Sequence, residues 1–184
     1  MDAVAVLLPV KAFTLAKARL APVLDPEGRA SLARAMADNV VAAAGALPVT
    51  VACDDEEVAE WARAAGADVA WTPGLGLNGA VAAGVDALAA AGFARVVVAH
   101  ADLPRARDLT VVARGEGVVA VPDRHEDGTN VLAVPTGIGF TFAYGPGSFA
   151  RHRDEAARLG QPLTVLRPPD LTWDVDVPAD LEQP

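Results

Sequence analysis

Short, uninterrupted apolar runs recur along this chain, and they restrict its fold more than any other feature. The first run covers residues 3–9, and the others cover residues 48–52, 67–71, 94–99, 117–122 and 130–135. Runs of this length without polar alternation are typical of strands buried on both faces, as in a parallel sheet covered by helices. We therefore predict an α/β fold built on a mostly parallel sheet.

Segments with helical spacing separate the first four runs, and capping residues mark their ends. The predicted N-caps are Asp25, Asp54 (in a capping box with Glu57) and Asn78, and the predicted stops are Gly45, Gly66 and Gly92. Strand and helix alternate to about residue 122, which indicates an α/β sandwich. The last third predicts a hairpin around residues 130–144, a helix near 147–159, a strand at 162–167 and a turn or helix at 178–181.

Length, charge and cysteine usage exclude several classes of protein. The 184 residues fit one domain spanning residues 1–184, and no apolar run approaches the roughly 20 residues that span a bilayer. The net charge of −9 argues against a polynucleotide partner. Cys53, the single cysteine, excludes a disulfide framework and is interpreted as a small buried hydrophobe. We expect a cytoplasmic protein that does not contact membranes.

Three cations follow the first apolar run within nine positions of an otherwise acidic chain. They are Lys11, Lys17 and Arg19. Ligands of open α/β sheets bind beyond the carboxyl ends of the strands, so these cations are placed to neutralise triphosphate oxygens. A solvated loop with scattered charges is the alternative. The chain lacks the Gly-Lys-Ser/Thr of a P-loop.

Two acidic segments are candidate metal ligands. Asp102 follows the run at 94–99, and in an extended segment Asp174 and Asp176 would project to the same side. Oxygen ligands of this kind suit Mg²⁺, and a shared cation would offset the repulsion between the carboxylates. Alternatively, Asp102 caps a short helix and Asp176 caps the final one. His100 is either an outer partner of the metal site or a packed side chain.

Two polar, glycine-bearing segments could bind an anion. One spans residues 122–132 and includes Thr129; the other spans residues 144–149, includes Gly145 and leads into a helix that Ser148 could cap. Backbone N–H groups and a helix N-terminus favour phosphate or carboxylate. A plain connecting turn and a helix start without a ligand explain the two segments equally well.

These motifs together resemble one family across nearly the whole chain. The motifs, in chain order, are Pro-Val-Lys with Ala-Lys-Ala-Arg-Leu (9–20), Gly-Leu-Asn (76–78), Ala-Asp-Leu-Pro (101–104), Pro-Asp-Arg with Asp-Gly-Thr-Asn (122–130), Gly-Pro-Gly-Ser-Phe with His (145–152) and Asp-Val-Asp-x-Pro-x-Asp-Leu (174–181). The set is similar to the guanylyltransferases that activate 2-phospho-L-lactate or phosphoenolpyruvate in the synthesis of the deazaflavin coenzyme F-420. The ordered set is far more specific than any one motif.

The resemblance implies a Rossmann-like nucleotidyltransferase fold of the GT-A-like type, a three-layer sandwich shared with the guanylyltransferases of molybdenum-cofactor synthesis. It also implies GTP as co-substrate, Mg²⁺ and a three-carbon phosphorylated acid. Carried over to this sequence, the implied contacts are Lys11, Lys17 and Arg19 with the triphosphate, Asn78 near the nucleoside, Asp102 with Asp174 or Asp176 at the metal, and Thr129, Gly145 and Ser148 at the acid. Val177 stands where the family pattern usually has threonine.

The expected reaction is attack by a phosphate oxygen of the acid on the α-phosphorus of GTP, with Lys11, Lys17 and Asp102 as catalytic residues. Since a phosphate is already ionised near neutral pH, positioning and charge neutralisation would suffice. The alternatives are a related nucleotidyltransferase with another phosphorylated acceptor and a non-catalytic nucleotide-binding domain of the same fold. No residue decides between phosphoenolpyruvate and 2-phospho-L-lactate, and a homodimer stays open.

Overall fold

The computed structural model describes residues 3–182, in which seven strands form one sheet. The strands are β1 (Val4–Pro9), β2 (Val49–Cys53), β3 (Asp68–Trp71), β4 (Arg95–Ala99), β5 (Val118–Pro122), β6 (Thr129–Pro135) and β7 (Leu163–Val165). The α-helices are α1 (Pro26–Ala43), α2 (Glu56–Ala64), α3 (Gly76–Ala90), α4 (Thr110–Ala113) and α5 (Ser148–Arg158). Short 3-10 helices cover Phe13–Leu15, Ala18–Leu20 and Pro178–Leu181.

The strand order is β3-β2-β1-β4-β6-β5-β7, and β6 alone runs antiparallel to its neighbours within this sheet. The predicted mostly parallel sheet is therefore confirmed. The hairpin predicted over residues 130–144 is wrong: β5 and β6 form the hairpin, and the described residues 136–147 contain no strand. The reason is local, because the Asp123 carboxylate accepts hydrogen bonds from the backbone N–H groups of His125, Asp127 and Gly128 and closes a tight connection.

The alternating side chains of each strand divide the core into two layers, as for Leu8 and Leu7 of β1, which lie in opposite clusters. One cluster packs against α1, α2 and α4, and the other packs against α3 and α5. The predicted three-layer sandwich is confirmed. Cys53 is buried, as expected. Within residues 3–182, no helix is both long and apolar enough to cross a bilayer.

The cap at Asp25 is confirmed, since its carboxylate accepts the N–H of Gly28 at 2.7 Å. The cap at Asp54 is wrong, because Asp55 occupies that position and accepts the N–H of Val58 at 3.0 Å. Either of two adjacent aspartates can cap a helix, so the sequence could not choose between them.

Two other predicted caps are also wrong. Asn78 lies inside α3, whose N-cap is Leu75, and Ser148 is the first residue of α5, whose N-cap is Gly147. Gly147 takes this position because its backbone is left-handed, with φ of 72°, which glycine adopts without strain. The side chains of Asn78 and Ser148 are engaged in other contacts, described below.

The order of the sheet determines where polar residues converge. The parallel strands β1, β4 and β5 all end at one edge of the sheet, and antiparallel β6 begins there. This places Lys11, Asp102, Asp123 and Thr129 at the same edge. The crevice between β1 and β4 lies where the chain reverses its direction across the sheet, which is where open α/β sheets bind ligands.

Candidate active site

A cleft of about 550 Å³ opens between the carboxyl ends of β1 and β4. Its charged and polar lining residues are Lys11, Lys17, Arg19, His100, Asp102 and Asp176. All three cations predicted to bind phosphate therefore line the same cleft as two of the three predicted metal ligands. The short 3-10 helices after β1 bring the cations back over the end of β4, because Lys17 between them has a left-handed backbone with φ of 54°.

Two of these cations contact the acidic residues of the cleft. The Lys17 ammonium donates to Oδ2 of Asp102 at 2.7 Å and lies 4.0 Å from Oδ1 of Asp176. The Lys17 side chain is 9% exposed and that of Asp102 is 25% exposed, so this pair is partly shielded from bulk water. Arg19, which is mostly exposed, forms an ion pair with Asp176. Lys11 is exposed and borders both the cleft and a small adjoining recess.

Asp102 is held in its charged form. Burial has the largest single effect and would raise its pKa, but the charges of Lys17 and His100 and the hydrogen bond from Lys17 outweigh it, so the pKa lies below its usual value. Oδ1 of Asp102 is buried and accepts no hydrogen bond from residues 3–182. A buried, charged oxygen without a donor is suited to contact a cation.

Asp174 does not line the cleft but lies near enough to Asp102 to interact with its charge, and its pKa is shifted in the opposite direction. Burial raises its pKa, and the nearby negative charge of Asp102 raises it further. Its Oδ1 lies 3.5 Å from Nη1 of Arg124 but accepts no hydrogen bond from the described residues. Asp102 and Asp174 thus interact as like charges, each with one unsatisfied buried oxygen. A divalent cation between them would remove the repulsion.

The residues present fit a magnesium ion that takes its other ligands from a nucleotide. Mg²⁺ is usually bound by one or two carboxylates together with substrate phosphates and water. Within residues 3–182, no group of three or more His, Cys, Asp or Glu side chains is arranged to hold a metal ion without such help. Asp102 and Asp174 each have one unsatisfied carboxylate oxygen, which meets the need for one or two carboxylate ligands.

The predicted acid-binding residues form a second, buried group. Thr129 and Ser148 are at most 2% exposed, and their hydroxyl oxygens are 3.4 Å apart. The α5 terminus predicted to bind an anion is already partnered: the Asp127 carboxylate accepts the N–H of Gly147 and the Asp127 backbone carbonyl accepts that of Phe149, at 3.0 Å each. Thr129 and Ser148 are not among the residues that line the cleft. Their role at the acid stays a prediction.

His152 organises this second group. It is fully buried, and its Nε2 accepts the N–H of Ala143 at 3.0 Å, so the neutral ring carries its proton on Nδ1 and donates it to the Thr129 hydroxyl, also at 3.0 Å. Burial, with a smaller contribution from Arg151, lowers the pKa of His152 to about 4. The ring is therefore neutral near pH 7, and it directs the hydroxyl proton of Thr129 away from itself.

Tyr144 and His100 connect the second group to the cleft. Their rings are 5.0 Å apart, and the Tyr144 ring also contacts His152 at 4.7 Å. The Tyr144 hydroxyl and Nε2 of His100 are buried and have no hydrogen-bond partner among residues 3–182. Burial raises the pKa of Tyr144, so its hydroxyl stays protonated and can donate. Of the two residues, His100 lines the cleft and Tyr144 does not, so His100 is the one placed to meet a ligand there.

Asn78, predicted to lie near the nucleoside, contacts the backbone of Tyr144. Its Oδ1 accepts the Tyr144 N–H at 2.6 Å, and its Nδ2 donates to the Tyr144 carbonyl at 3.3 Å. Its neighbours Gly76 and Leu77 instead border the small recess of about 50 Å³ that adjoins the cleft at Lys11. Asn78 therefore fixes the segment that leads to Gly145 rather than the wall of the recess.

Sequence reasoning missed four residues of this region: Arg124, Tyr144, His152 and Asp180. Three of them stand inside the quoted motifs, in Pro-Asp-Arg, in Gly-Pro-Gly-Ser-Phe with its following histidine, and in the final Asp-Leu. Membership of a motif was the only available signal. Their contacts join positions 9 to 66 apart in the sequence, and no local spacing predicts them.

Comparison with known proteins agrees with the fold and with the motifs. Residues 4–183 match the family model described as "Guanylyl transferase CofC like". The chain is 38% identical to the phosphoenolpyruvate guanylyltransferase of Sphaerobacter thermophilus, over 96% of this chain and 89% of that protein. It is 39% identical to the phosphoenolpyruvate guanylyltransferase of Rubrobacter xylanophilus, over 95% and 89%.

A solved structure from Desulfovibrio desulfuricans G20, classed among the nucleotide-diphospho-sugar transferases, superposes with a TM-score of 0.78. The superposition covers 98% of this chain and 85% of that one at 18% identity, so it supports the fold alone. The Rossmann-like nucleotidyltransferase fold is consistent with the family match, which extends over residues 4–183. The chain belongs to the CofC-like guanylyl transferase family.

Proposed function

We propose that this protein transfers GMP from GTP to phosphoenolpyruvate, with release of pyrophosphate, in the synthesis of the deazaflavin coenzyme F-420. The relatives named phosphoenolpyruvate guanylyltransferase favour this acceptor over 2-phospho-L-lactate. The observation that carries the proposal is the cleft between β1 and β4, where Lys11, Lys17 and Arg19 face Asp102 and Asp176. Cations and carboxylates together suit a polyanionic substrate that is bound with a metal ion.

Asp102 and Asp174 would hold Mg²⁺, and Asp176 would lie beside it. When bound, the ion would withdraw charge from the triphosphate and support the departing pyrophosphate. Lys17 would then exchange its contact with Asp102 for one with a phosphate oxygen, because both are anionic and lie in one cleft. Arg19 and the exposed Lys11 would contact the outer phosphates.

In the proposed reaction, a phosphate oxygen of the acid attacks the α-phosphorus of GTP in line with the bond to the β-phosphate. The new P–O bond joins the two phosphoryl groups, and the broken one releases pyrophosphate. The attacking oxygen is already ionised near pH 7, so the chain needs no strong base. Its residues position the two anions and neutralise their charge.

The acid would lie towards His100 and Tyr144, whose Nε2 and hydroxyl are unsatisfied among the described residues. Thr129, Gly145 and Ser148 would complete this side, with the Thr129 proton directed outward by His152. We further propose one nucleotidyltransferase domain over residues 1–184, with small-molecule partners and no polynucleotide. A cytoplasmic location and a homodimer stay predictions.

The test is pyrophosphate release from GTP and Mg²⁺, with phosphoenolpyruvate and 2-phospho-L-lactate in parallel. We expect release that depends on the acid and falls at least about 100-fold in Asp102→Ala, since a metal ligand contributes several kcal/mol to the transition state. Asp86→Ala is the matched control, because Asp86 is an exposed carboxylate on α3, outside the cleft. Its activity should equal that of the parent.

Other outcomes would support the alternatives. Release with a different phosphorylated acid, and with neither of these two, would indicate a related nucleotidyltransferase. Tight GTP binding without turnover on any acid would indicate a non-catalytic nucleotide-binding domain. Equal loss of activity in Asp86→Ala and Asp102→Ala would remove the argument for a metal site at Asp102.

A further inference from the structure

Arg124 and Asp180 lie outside the proposed chemistry, yet they contact the segment that carries two of its carboxylates. We propose that Arg124 and Asp180 are positioning residues that hold the segment 174–177 against Asp102, so that the metal site is formed before the metal binds. This inference rests on the proposed function, since it concerns the same metal. We refer to Arg124, Asp180 and the Trp173 ring as the brace.

Asp180 anchors the backbone of the segment. It is 5% exposed, and its Oδ2 accepts two backbone hydrogen bonds, from Asp176 N–H at 2.7 Å and from Val177 N–H at 2.8 Å. Its other oxygen accepts from Nη2 of Arg124. The buried Asp180 carboxylate therefore fixes the backbone at Asp176 and Val177. Asp180 is not among the residues that line the cleft, and both of its carboxylate oxygens already accept hydrogen bonds.

Arg124 anchors the other end of the segment. Its Nη1 donates to the Asp174 carbonyl at 3.0 Å and lies 3.5 Å from the Asp174 carboxylate. Its guanidinium lies over the Trp173 ring, 4.3 Å from the centroid. A planar fork can make these contacts at once, and an ammonium cannot. The Trp173 ring also carries the guanidinium of Arg105, at 4.5 Å, so the ring is fixed from a second direction.

A third contact joins the braced segment to the loop that follows β4. The Val175 N–H donates to the carbonyl of Asp102 at 3.2 Å, and the buried Val175 side chain packs with Leu20 and Met36. Asp174 and Asp176 therefore flank a residue whose backbone is hydrogen-bonded to Asp102, the proposed metal ligand.

The physical consequence concerns metal affinity. The like charges of Asp102 and Asp174 repel, so a loosened segment would move away from Asp102, and a metal would have to order it again on binding. Removing an outer partner of a metal ligand typically weakens metal binding by about 10-fold to 100-fold. A purely structural brace would instead lower the stability of the fold and leave the metal affinity of the folded protein unchanged.

The experiment is a Mn²⁺ titration followed by EPR, with a GTP analogue that carries a methylene group between the α- and β-phosphorus atoms, so that pyrophosphate cannot leave. Mn²⁺ binding to the analogue alone is subtracted. The variants are Arg124→Lys, which keeps the charge and loses the fork, Arg124→Met and Asp180→Asn. Near-UV circular dichroism shows which of them are folded, and Arg124→Lys is the mildest. We expect each folded variant to bind Mn²⁺ about 10-fold more weakly than the parent.

Arg158→Lys is the matched control, because Arg158 donates two hydrogen bonds to Glu155 on α5, at 2.6 and 2.7 Å, away from the cleft. Its Mn²⁺ affinity should match the parent. Turnover with GTP and phosphoenolpyruvate should recover at high Mg²⁺ in Arg124→Lys, because the metal then orders the segment. Parent-like Mn²⁺ affinity in folded Arg124→Lys and Asp180→Asn overturns the brace while turnover of the parent still supports the proposed function. A parent that neither binds Mn²⁺ nor releases pyrophosphate overturns both.

Discussion

The ammonium of Lys17 lies 2.7 Å from Oδ2 of Asp102, so a predicted phosphate ligand is the counter-charge of a predicted metal ligand. A metal ion at Asp102 would compete with this ammonium for the same carboxylate. If the proposed metal site is correct, binding of the metal would release Lys17 towards the triphosphate. This relationship yields a prediction that separates the two roles.

Lys17→Met should abolish measurable turnover but leave the metal site open. We expect nucleotide-free Lys17→Met protein to bind Mn²⁺ at least as tightly as the parent, because no ammonium competes for Asp102. In EDTA the free energy of unfolding of the variant should be about 2 kcal/mol lower than that of the parent, since the Asp102 carboxylate loses its charged donor. Urea unfolding with and without Mn²⁺ measures both effects. Loss of Mn²⁺ binding together with turnover would contradict this account.

His152 predicts a loss of stability in mild acid. Its folded-state pKa of about 4 lies below the unfolded value of about 6.5, so the unfolded chain takes up the proton first as the pH falls. The free energy of unfolding should therefore decrease from about pH 6.5 down to the folded-state pKa, by about 1 kcal/mol at pH 5.5.

His152→Gln tests this effect, because a glutamine does not titrate but can still accept from Ala143 N–H and donate to Thr129. Its free energy of unfolding should change less than that of the parent between pH 7.5 and 5.5, as measured by urea unfolding. The same pH dependence in both proteins would assign the effect to other groups.

Asn78→Ala should change the affinity for the acid rather than for GTP. The amide holds both backbone polar groups of Tyr144, and its loss would free the segment leading to Gly145. We expect the KM for phosphoenolpyruvate to rise about 10-fold through misplacement of this segment, with little change for GTP. Steady-state kinetics with each substrate varied in turn measures both constants.

Thr136→Val is the control for Asn78→Ala, since the Thr136 hydroxyl donates to the Phe93 carbonyl at the edge of the sheet opposite to the cleft. Its KM values should stay at those of the parent. A selective rise in the KM for GTP in Asn78→Ala would instead support the contact with the nucleoside that the family resemblance implies.

Gly84 brings α3 close to β1. A Cβ atom at this position would lie 2.7 and 2.8 Å from the methyl groups of Leu7, which is fully buried. Gly84→Ala should therefore lower the free energy of unfolding by about 1 kcal/mol, because overpacking exceeds the gain in helix propensity. Ala87→Gly, at an exposed position of α3, measures the propensity contribution alone. A more stable Gly84→Ala protein would show that Leu7 can repack.

Much of the site was predictable because its residues follow strand ends. The apolar runs before Lys11 and Asp102 predicted β1 and β4, and parallel strands necessarily end at the same edge. The first residue of a helix was less predictable where either of two neighbouring polar residues could be the N-cap. Asp54 and Asp55 are equally good N-caps by type. The packing of Val58 and Trp61 in the core sets the start of α2, so that Asp55 is the cap.

The sequence by itself determined the sandwich, the cleft-lining charges and the family, because strand burial and motif order are properties of the linear chain. Only the tertiary structure decided which charges meet. Lys17 and Asp102 are 85 positions apart, and Arg124 and Asp180 are 56 apart. It also decided that β6 runs antiparallel and places Thr129 beside His152. Contacts between distant segments depend on sheet order and packing, and no local pattern of residue types encodes them.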